Sequence, residues 1–293
     1  MEFLERIIGF LGEGKKKPER PKTPERPPEI IVRSFCRKGR AGQDGIATTE
    51  KVEPNQLPII SKLYNEAGIT FVGGVFDGHG GGGEIGQYIA ETALNTFLQH
   101  LCEYLGYGLD SAILYASAST DQELSSLLPS NTGVCFEMAI AARDGLYVVH
   151  LGDGEAYLLG KGWKRRKIRL LTTPHKALPG SKASKYINVS HSWGDRDIKE
   201  GGGELSPYPD VIKIPWKELR GASLLLMSDG LPDAAAVTGT SLKKLIKLAI
   251  REGLGPIFQA RVGGLMAQWN QMFQQGRAPA PADDASVLLL ECK

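Results

Sequence analysis

Hydrophobic positions along this chain recur with two different periods, and the change of period marks out its elements. Residues 71–76, FVGGVF, are an apolar run of strand length that breaks at once on Asp77, Gly78, His79 and a string of glycines. Over residues 83–106, Ile85, Tyr88, Ile89, Ala93, Phe97, Leu101 and Leu105 fall close to one helical face, with Glu84, Gln87, Glu91 and Asn95 elsewhere. Residues 110–128 predict a second helix, with Ile113, Leu114, Leu124, Leu127 and Leu128 available for burial. From Gly133 the period shortens to that of strands. VCFEMAIAA, LYVVHLG, EAYLLGKG and KIRLLTT are β-branched or aromatic runs separated by glycine turns, the grammar of an antiparallel meander in which GDG at 152–154 reads as a hairpin turn. Residues 174–215 are loop-rich, with glycines and prolines throughout. A strand over 223–227 ends on Ser228, Asp229 and Gly230, helices follow at 241–251 and 257–275, and a strongly apolar strand closes the chain at 286–290. Gly263 and Gly264 weaken the middle of the last helix.

The start of the chain has a different character. Phe3, Leu4, Ile7, Ile8 and Leu11 sit at helical spacing, and residues 15–28 are rich in Pro, Lys and Arg. Residues 1–29 therefore read as an amphipathic helix with a stiff linker, and residues 30–293 as one folded domain opening on an edge strand, IIVRSFCRKG. Glu2, Glu5 and Glu13 argue against a membrane anchor in residues 1–12 and for a helix that folds back or frays.

Composition narrows the class. A chain of 293 residues with 42% hydrophobic content can fill a core, and a formal charge of only +2 offers no global field for nucleic acid. Locally, residues 161–169, KGWKRRKIR, hold six basic residues and no acid, either as a solvated hairpin rim or as a docking surface for an acidic or phosphorylated partner. Cys36, Cys102, Cys135 and Cys292 lie far apart without CxxC spacing, nothing upstream resembles a cleavable signal, and no apolar run has the length of a membrane span. Reduced thiols in the cytoplasm are the expectation.

Candidate chemistry gathers where strands end. The turn at 77–79 presents a carboxylate, a backbone carbonyl and an imidazole within three residues; these either merely turn the chain or ligate a hard cation beside a proton-moving group. Asp77 and Asp229 follow the C-terminal ends of apolar strands, and Asp283 precedes the N-terminal end of another. In an antiparallel arrangement such ends lie side by side, so the three carboxylates can meet at one edge. Clustered carboxylates repel one another, and a shared site needs cations. Oxygen-only ligands point to magnesium or manganese rather than zinc, and two such ions can activate a water and clamp a phosphoryl group. Arg40 and Asp44 form a second fragment, a guanidinium suited to phosphate beside one more carboxylate.

VFDGHGG, GDGEAYLL, VSHSWGD, LLLMSDGLPD and DDASVLLL, in that order, resemble the metal-dependent protein serine/threonine phosphatases of type 2C, over residues 33–291. The resemblance implies an α+β fold, a four-layer αββα sandwich of two central antiparallel sheets flanked by helix pairs, with the metal centre at one end. It implies two Mn2+ or Mg2+ ions, with Asp77 bridging them, Gly78 offering its carbonyl, and Asp229, Asp283 and Asp44 completing the ligand set. Asp284 stands where the family often has Asn or Asp, and Asp153 and Asp233 match a third, weaker site. His79 resembles the group that protonates the leaving alkoxide, and Arg40 one that contacts phosphate. Thr132 and Gly133 resemble the small-residue start of a central strand, and residues 189–195 the segment leaving the flap region. The implied activity is hydrolysis of phosphoserine and phosphothreonine by a hydroxide bridging the two ions, in a cytoplasmic monomer whose substrate is a phosphorylated protein with a partner Ser/Thr kinase and which binds no nucleic acid. Two features depart from the pattern: Arg40 is four residues before Asp44 rather than five, with Gln43 in place of an acid, and Pro174 stands where Asp is common, which makes His175 structural. The competing readings are a regulatory binding module without turnover and a phosphatase of a small molecule.

Overall fold

The computed structural model describes residues 27–38, 43–49, 57–80, 86–160 and 167–293. The N-terminal helix and most of its linker, Arg40, and residues 161–166 of the basic run lie outside these.

Eleven strands among the described residues form two sheets, and every ladder is antiparallel. One sheet takes the order β1 (Ile30–Arg37), β11 (Ala285–Cys292), β10 (Ser223–Met227), β6 (Glu155–Leu159), β7 (Ile168–Leu170). The other runs β2 (Asp44–Thr48), β3 (Phe71–His79), β4 (Gly133–Ala142), β5 (Gly145–Leu151), β9 (Asp210–Ile214), with the short β8 (Trp193–Gly194) paired to β4.

The apolar runs are continuous because their strands are buried on both faces. Along β3, Phe71 and Val75 face the second sheet, while Val72 and Phe76 pack under helices Gly86–Tyr104 and Leu109–Leu127. Along β11 the same period-2 alternation sends Leu288 and Leu290 between the sheets. Val287 and Leu289 instead lie under helices Gly230–Val237, Leu242–Glu252 and Pro256–Gln274. Three stacked apolar layers thus hold four layers of secondary structure, the expected sandwich.

The differences from expectation are local. The four runs after Gly133 do not make one meander: β4 and β5 pair in one sheet, whereas β6 and β7 belong to the other. GDG is a crossover between sheets, because the free edge of β5 is taken by β9 and β6 finds its partner in β10. Gly152 makes that turn at φ +113°, where a side chain would also collide with Cys135. Helix Leu57–Ala67 and strand β9 sit in stretches that read as polar or loop-rich. Helix Pro256–Gln274 runs unbroken through Gly263, over which the Arg37 guanidinium lies. All four cysteines are unpaired, and no helix among the described residues is long and apolar enough to cross a membrane.

Leu288 is fully buried between the sheets. Leu288→Ala should lower the unfolding free energy by about 3 kcal/mol in urea melts, the usual result of truncating a leucine in a close-packed core; a change within experimental error would contradict double-faced burial of β11.

Candidate metal centre

The sandwich brings five strand-end carboxylates to one end. Asp44 opens β2 directly opposite Asp77 on β3, since antiparallel pairing sets the start of one strand beside the end of its neighbour. In the facing sheet β10 runs out into Asp229, which begins helix Gly230–Val237, and Asp283 lies just before β11, the strand paired with β10. Asp153 arrives on the inter-sheet crossover. The carboxylates therefore meet across two sheets rather than along one edge. Oxygens of Asp77, Asp153 and Asp229 lie within 4.8 Å of one another, close enough to share an ion. Asp233 and Asp283 are exposed at the rim, while Asp44 is buried at the base.

Depth grades the chemistry of these groups. Burial, and then the carboxylates of Asp44, Asp229, Asp283 and Asp153, hold Asp77 well above the ordinary carboxylate range. Burial followed by Asp153, Asp283 and Asp233 does the same to Asp229. Asp44 is pushed up to about 7, chiefly by burial and with Asp284 and Asp283 adding to it, although the Ser228 hydroxyl donates to its Oδ2 at 2.6 Å. Partial desolvation by the surrounding cluster also raises Asp283 and Asp233. Such a set cannot carry its full negative charge without positive charge among the carboxylates, and an all-oxygen donor set fits hard divalent ions.

Several neighbours adjust the cluster. Asp284, fully buried, is not at the mouth: its Oδ2 accepts the amide N–H of Gln43 and, at 3.1 Å, that of Asp44, so it fastens the start of β2. Gly78 follows Asp77 on β3, and its N–H donates to the Gln43 carbonyl at 3.1 Å. The Lys176 ammonium donates to Asp153 Oδ2 at 2.5 Å. His175 accepts the Gly152 N–H at 3.2 Å and stacks on His191 at 3.9 Å between ring centroids, which anchors the crossover; burial, then His150 and His191, lower its pKa to about 4. His79, two residues beyond Asp77, places its Nε2 2.7 Å from Oδ2 of the fully buried Asp195.

Asp77, Gly78, Asp44, Asp229, Asp283, Asp153 and Asp233 are therefore brought to one region, and Arg40 lies outside the described residues. The reading of the chain missed Lys176 and Asp195 as neighbours of the site. The only signal for Asp195 was the Gly-Asp pair ending VSHSWGD, in a segment that looked like a loop.

With this geometry established, residues 61–179 match the family model described as protein phosphatase 2C. Over that stretch the chain is similar to the type 2C protein phosphatases. The fold agrees. A serine-threonine phosphatase 2C from Toxoplasma gondii superposes with a TM-score of 0.63 at 17% identity, covering 92% of this chain and 98% of that one. A sex-determining protein of C. elegans gives 0.57 at 17% identity, covering 90% of this chain and 65% of that one. Comparison with curated proteins finds no match. At 17% identity these superpositions show a shared fold.

The electrostatics predict a linked response to pH and metal. Between its ordinary value of 3.8 and about 7, folded Asp44 holds a proton that the unfolded chain has lost, so this carboxyl's contribution to metal-free stability falls as pH rises through that window. Divalent ions bind the ionised form, so the gain in Tm on adding manganese should grow between about pH 5 and about pH 7. A gain that is flat across the range would contradict the assignment. Asp229→Asn relieves repulsion and should raise the metal-free Tm by about 2–4 °C while abolishing the manganese gain.

Proposed function

We propose that this chain is a metal-dependent phosphatase of phosphoserine and phosphothreonine in proteins. The observation that carries the reading is the meeting of Asp44, Asp77, Asp153, Asp229 and Asp283 at one end of a type 2C sandwich, with an imidazole two residues from Asp77. Asp77, the Gly78 carbonyl, Asp229, Asp283 and Asp44 would hold two Mg2+ or Mn2+ ions, and Asp153 and Asp233 a weaker third. Bound divalent ions would supply the positive charge and the activated water that attack on phosphorus requires.

The chain's own groups do the rest. The carboxylates fix where the phosphoryl group can sit, and Arg40, where it reaches the site, neutralises its equatorial oxygens. His79 gives a proton to the serine or threonine oxygen as the P–O bond breaks. Because attack comes from water, the four cysteines are dispensable.

A cleft of about 500 Å³ borders His79 and is lined in part by Asn131, Tyr186, Ile187 and Ile198. Localisation in the cytoplasm and a partner kinase belong to the same proposal.

Manganese-dependent hydrolysis of a phosphoserine peptide tests it. Asp229→Asn should lower the rate by about a thousandfold, the several kcal/mol that a bound cation contributes to the transition state. Wild-type protein that binds the peptide without turning it over would instead make the chain a regulatory binding module. His79→Ala should cost about a hundredfold on the phosphoserine peptide, whose leaving alkoxide needs the proton. The same substitution should cost less than about tenfold on p-nitrophenyl phosphate, whose leaving group departs as the anion; equal losses would remove His79 from the role of proton donor.

A further inference from the structure

We infer that Asp195 is the positioning residue of the proton donor: its carboxylate takes Nε2–H of His79, so that Nδ1 is the nitrogen turned to the leaving oxygen. The inference rests on the phosphatase reading above and deepens it.

The contact is built from the far side of the fold. Asp195 is fully buried, and its Oδ2 accepts from His79 Nε2 at 2.7 Å and from the Ser192 hydroxyl at 2.6 Å. Two donors on one oxygen fix that oxygen in space. The segment carrying it is itself pinned: β8 pairs with the start of β4, with Gly194 opposite Gly133, and the Asp195 N–H donates to the Thr132 carbonyl at 2.9 Å. Trp193, buried between them, donates its ring N–H to Ser117 Oγ at 2.8 Å.

Two backbone features accommodate the contact. Asp195 sits in the left-handed region, at φ 52° and ψ 43°, directly after Gly194 at φ 83°. Aspartate is among the few non-glycine residues that adopt this region readily, and here the conformation turns the chain so that the carboxylate faces His79. Gly133 is the second. A side chain there would run into the Asp195 carboxylate and His79 Nε2 together, so the glycine keeps open the space the contact occupies. The third observation is electrostatic in kind: Asp195 Oδ1 is buried and, among the described residues, has no hydrogen-bond partner. A carboxylate buried with one oxygen unpartnered lacks a purely structural account, since burial of an unsatisfied polar atom is costly.

The consequence for the reaction follows from the imidazole's two nitrogens. With Nε2–H committed to Asp195, the second proton of the imidazolium is on Nδ1, and among the described residues Asp195 is the ring's only hydrogen-bond partner. As the P–O bond breaks, its electron pair goes to the serine or threonine oxygen, and the Nδ1 proton moves to that oxygen. The neutral imidazole left behind keeps Nε2–H on Asp195 and regains its proton from water at the exposed edge of the ring, where 21% of the side chain is accessible. An aspartate that holds the ring in one tautomer and one orientation does for this histidine what pre-organisation does for any proton-transfer group.

Asp195→Asn keeps the volume and removes the charge. On a phosphoserine peptide its turnover should fall about a hundredfold, with KM little altered; on p-nitrophenyl phosphate the fall should stay below about tenfold. Placed in a His79→Ala background it should add no further loss on the peptide, because residues acting as one unit are not additive. Ser192→Ala, a smaller perturbation that leaves Asp195 in place, should show the same leaving-group bias at about three- to tenfold, the effect of one hydrogen bond. Equal losses on both esters, or losses that multiply with His79→Ala, would overturn the inference. Nitrogen-15 NMR of the His79 ring reads the contact without any turnover: in the wild type Nε2 carries a slowly exchanging proton, and Asp195→Asn should lose it. Its absence from the wild type would overturn the inference even if the phosphatase reading stands. Its presence in a protein inactive on both esters would confine the failure to that reading.

Discussion

Repulsion among carboxylates at one end of the sandwich is the constraint on which the rest of the structure turns. Burial, and then the carboxylates around them, raise the affinity of Asp44, Asp77 and Asp229 for protons. No single loop could hold them there. Each is placed by a strand end or a turn whose backbone is anchored in a hydrogen-bonded ladder, and the ladders are locked by three apolar layers. The core thus stabilises an arrangement that is unfavourable in isolation and that hard cations would relieve.

The two halves of the centre come from different sheets. Asp44 and Asp77 are cross-strand partners in one; Asp229 and Asp283 flank paired strands in the other; Asp153 rides the crossover between them. Their relative positions therefore depend on the apolar layer between the sheets, to which Val75, Leu226 and Leu288 contribute. Around the carboxylates lies a ring of supports. Asp284 holds the start of β2, His175 fastens the crossover, and Asp195 holds His79. Functional groups sit on rigid elements, and two of the groups that position them, His175 and Asp195, arrive from loop-rich residues 174–215.

Much of the fold was legible along the chain because burial on both faces of a strand, or on one face of a helix, leaves a periodic trace. The apolar runs at 71–76, 223–227 and 286–290 and the helices over 83–106, 110–128, 241–251 and 257–275 left such traces, and the structure places elements there with bounds shifted by a few residues. Strand β9 and helix Leu57–Ala67 were not legible, since β9 is half exposed and the helix follows a polar stretch. Residues 133–171 showed strands but not their sheets. An inter-sheet crossover and a hairpin both ask for Gly-Asp-Gly, and only the partners available to β5 and β6 distinguish them.

By itself, then, the sequence determined most of the elements, the carboxylates at their ends and the family they resemble, because these are encoded by residue types at short separations. Tertiary structure alone decided that Asp153 arrives on a crossover between the sheets, that Asp284 supports backbone rather than facing the mouth, and that Asp195 reaches His79 across 116 positions of chain. Each of these is a contact between distant segments, and no local pattern records it. The physical reason is the same in every case: strand ends declare themselves by composition, whereas their neighbours are chosen by how two sheets face each other.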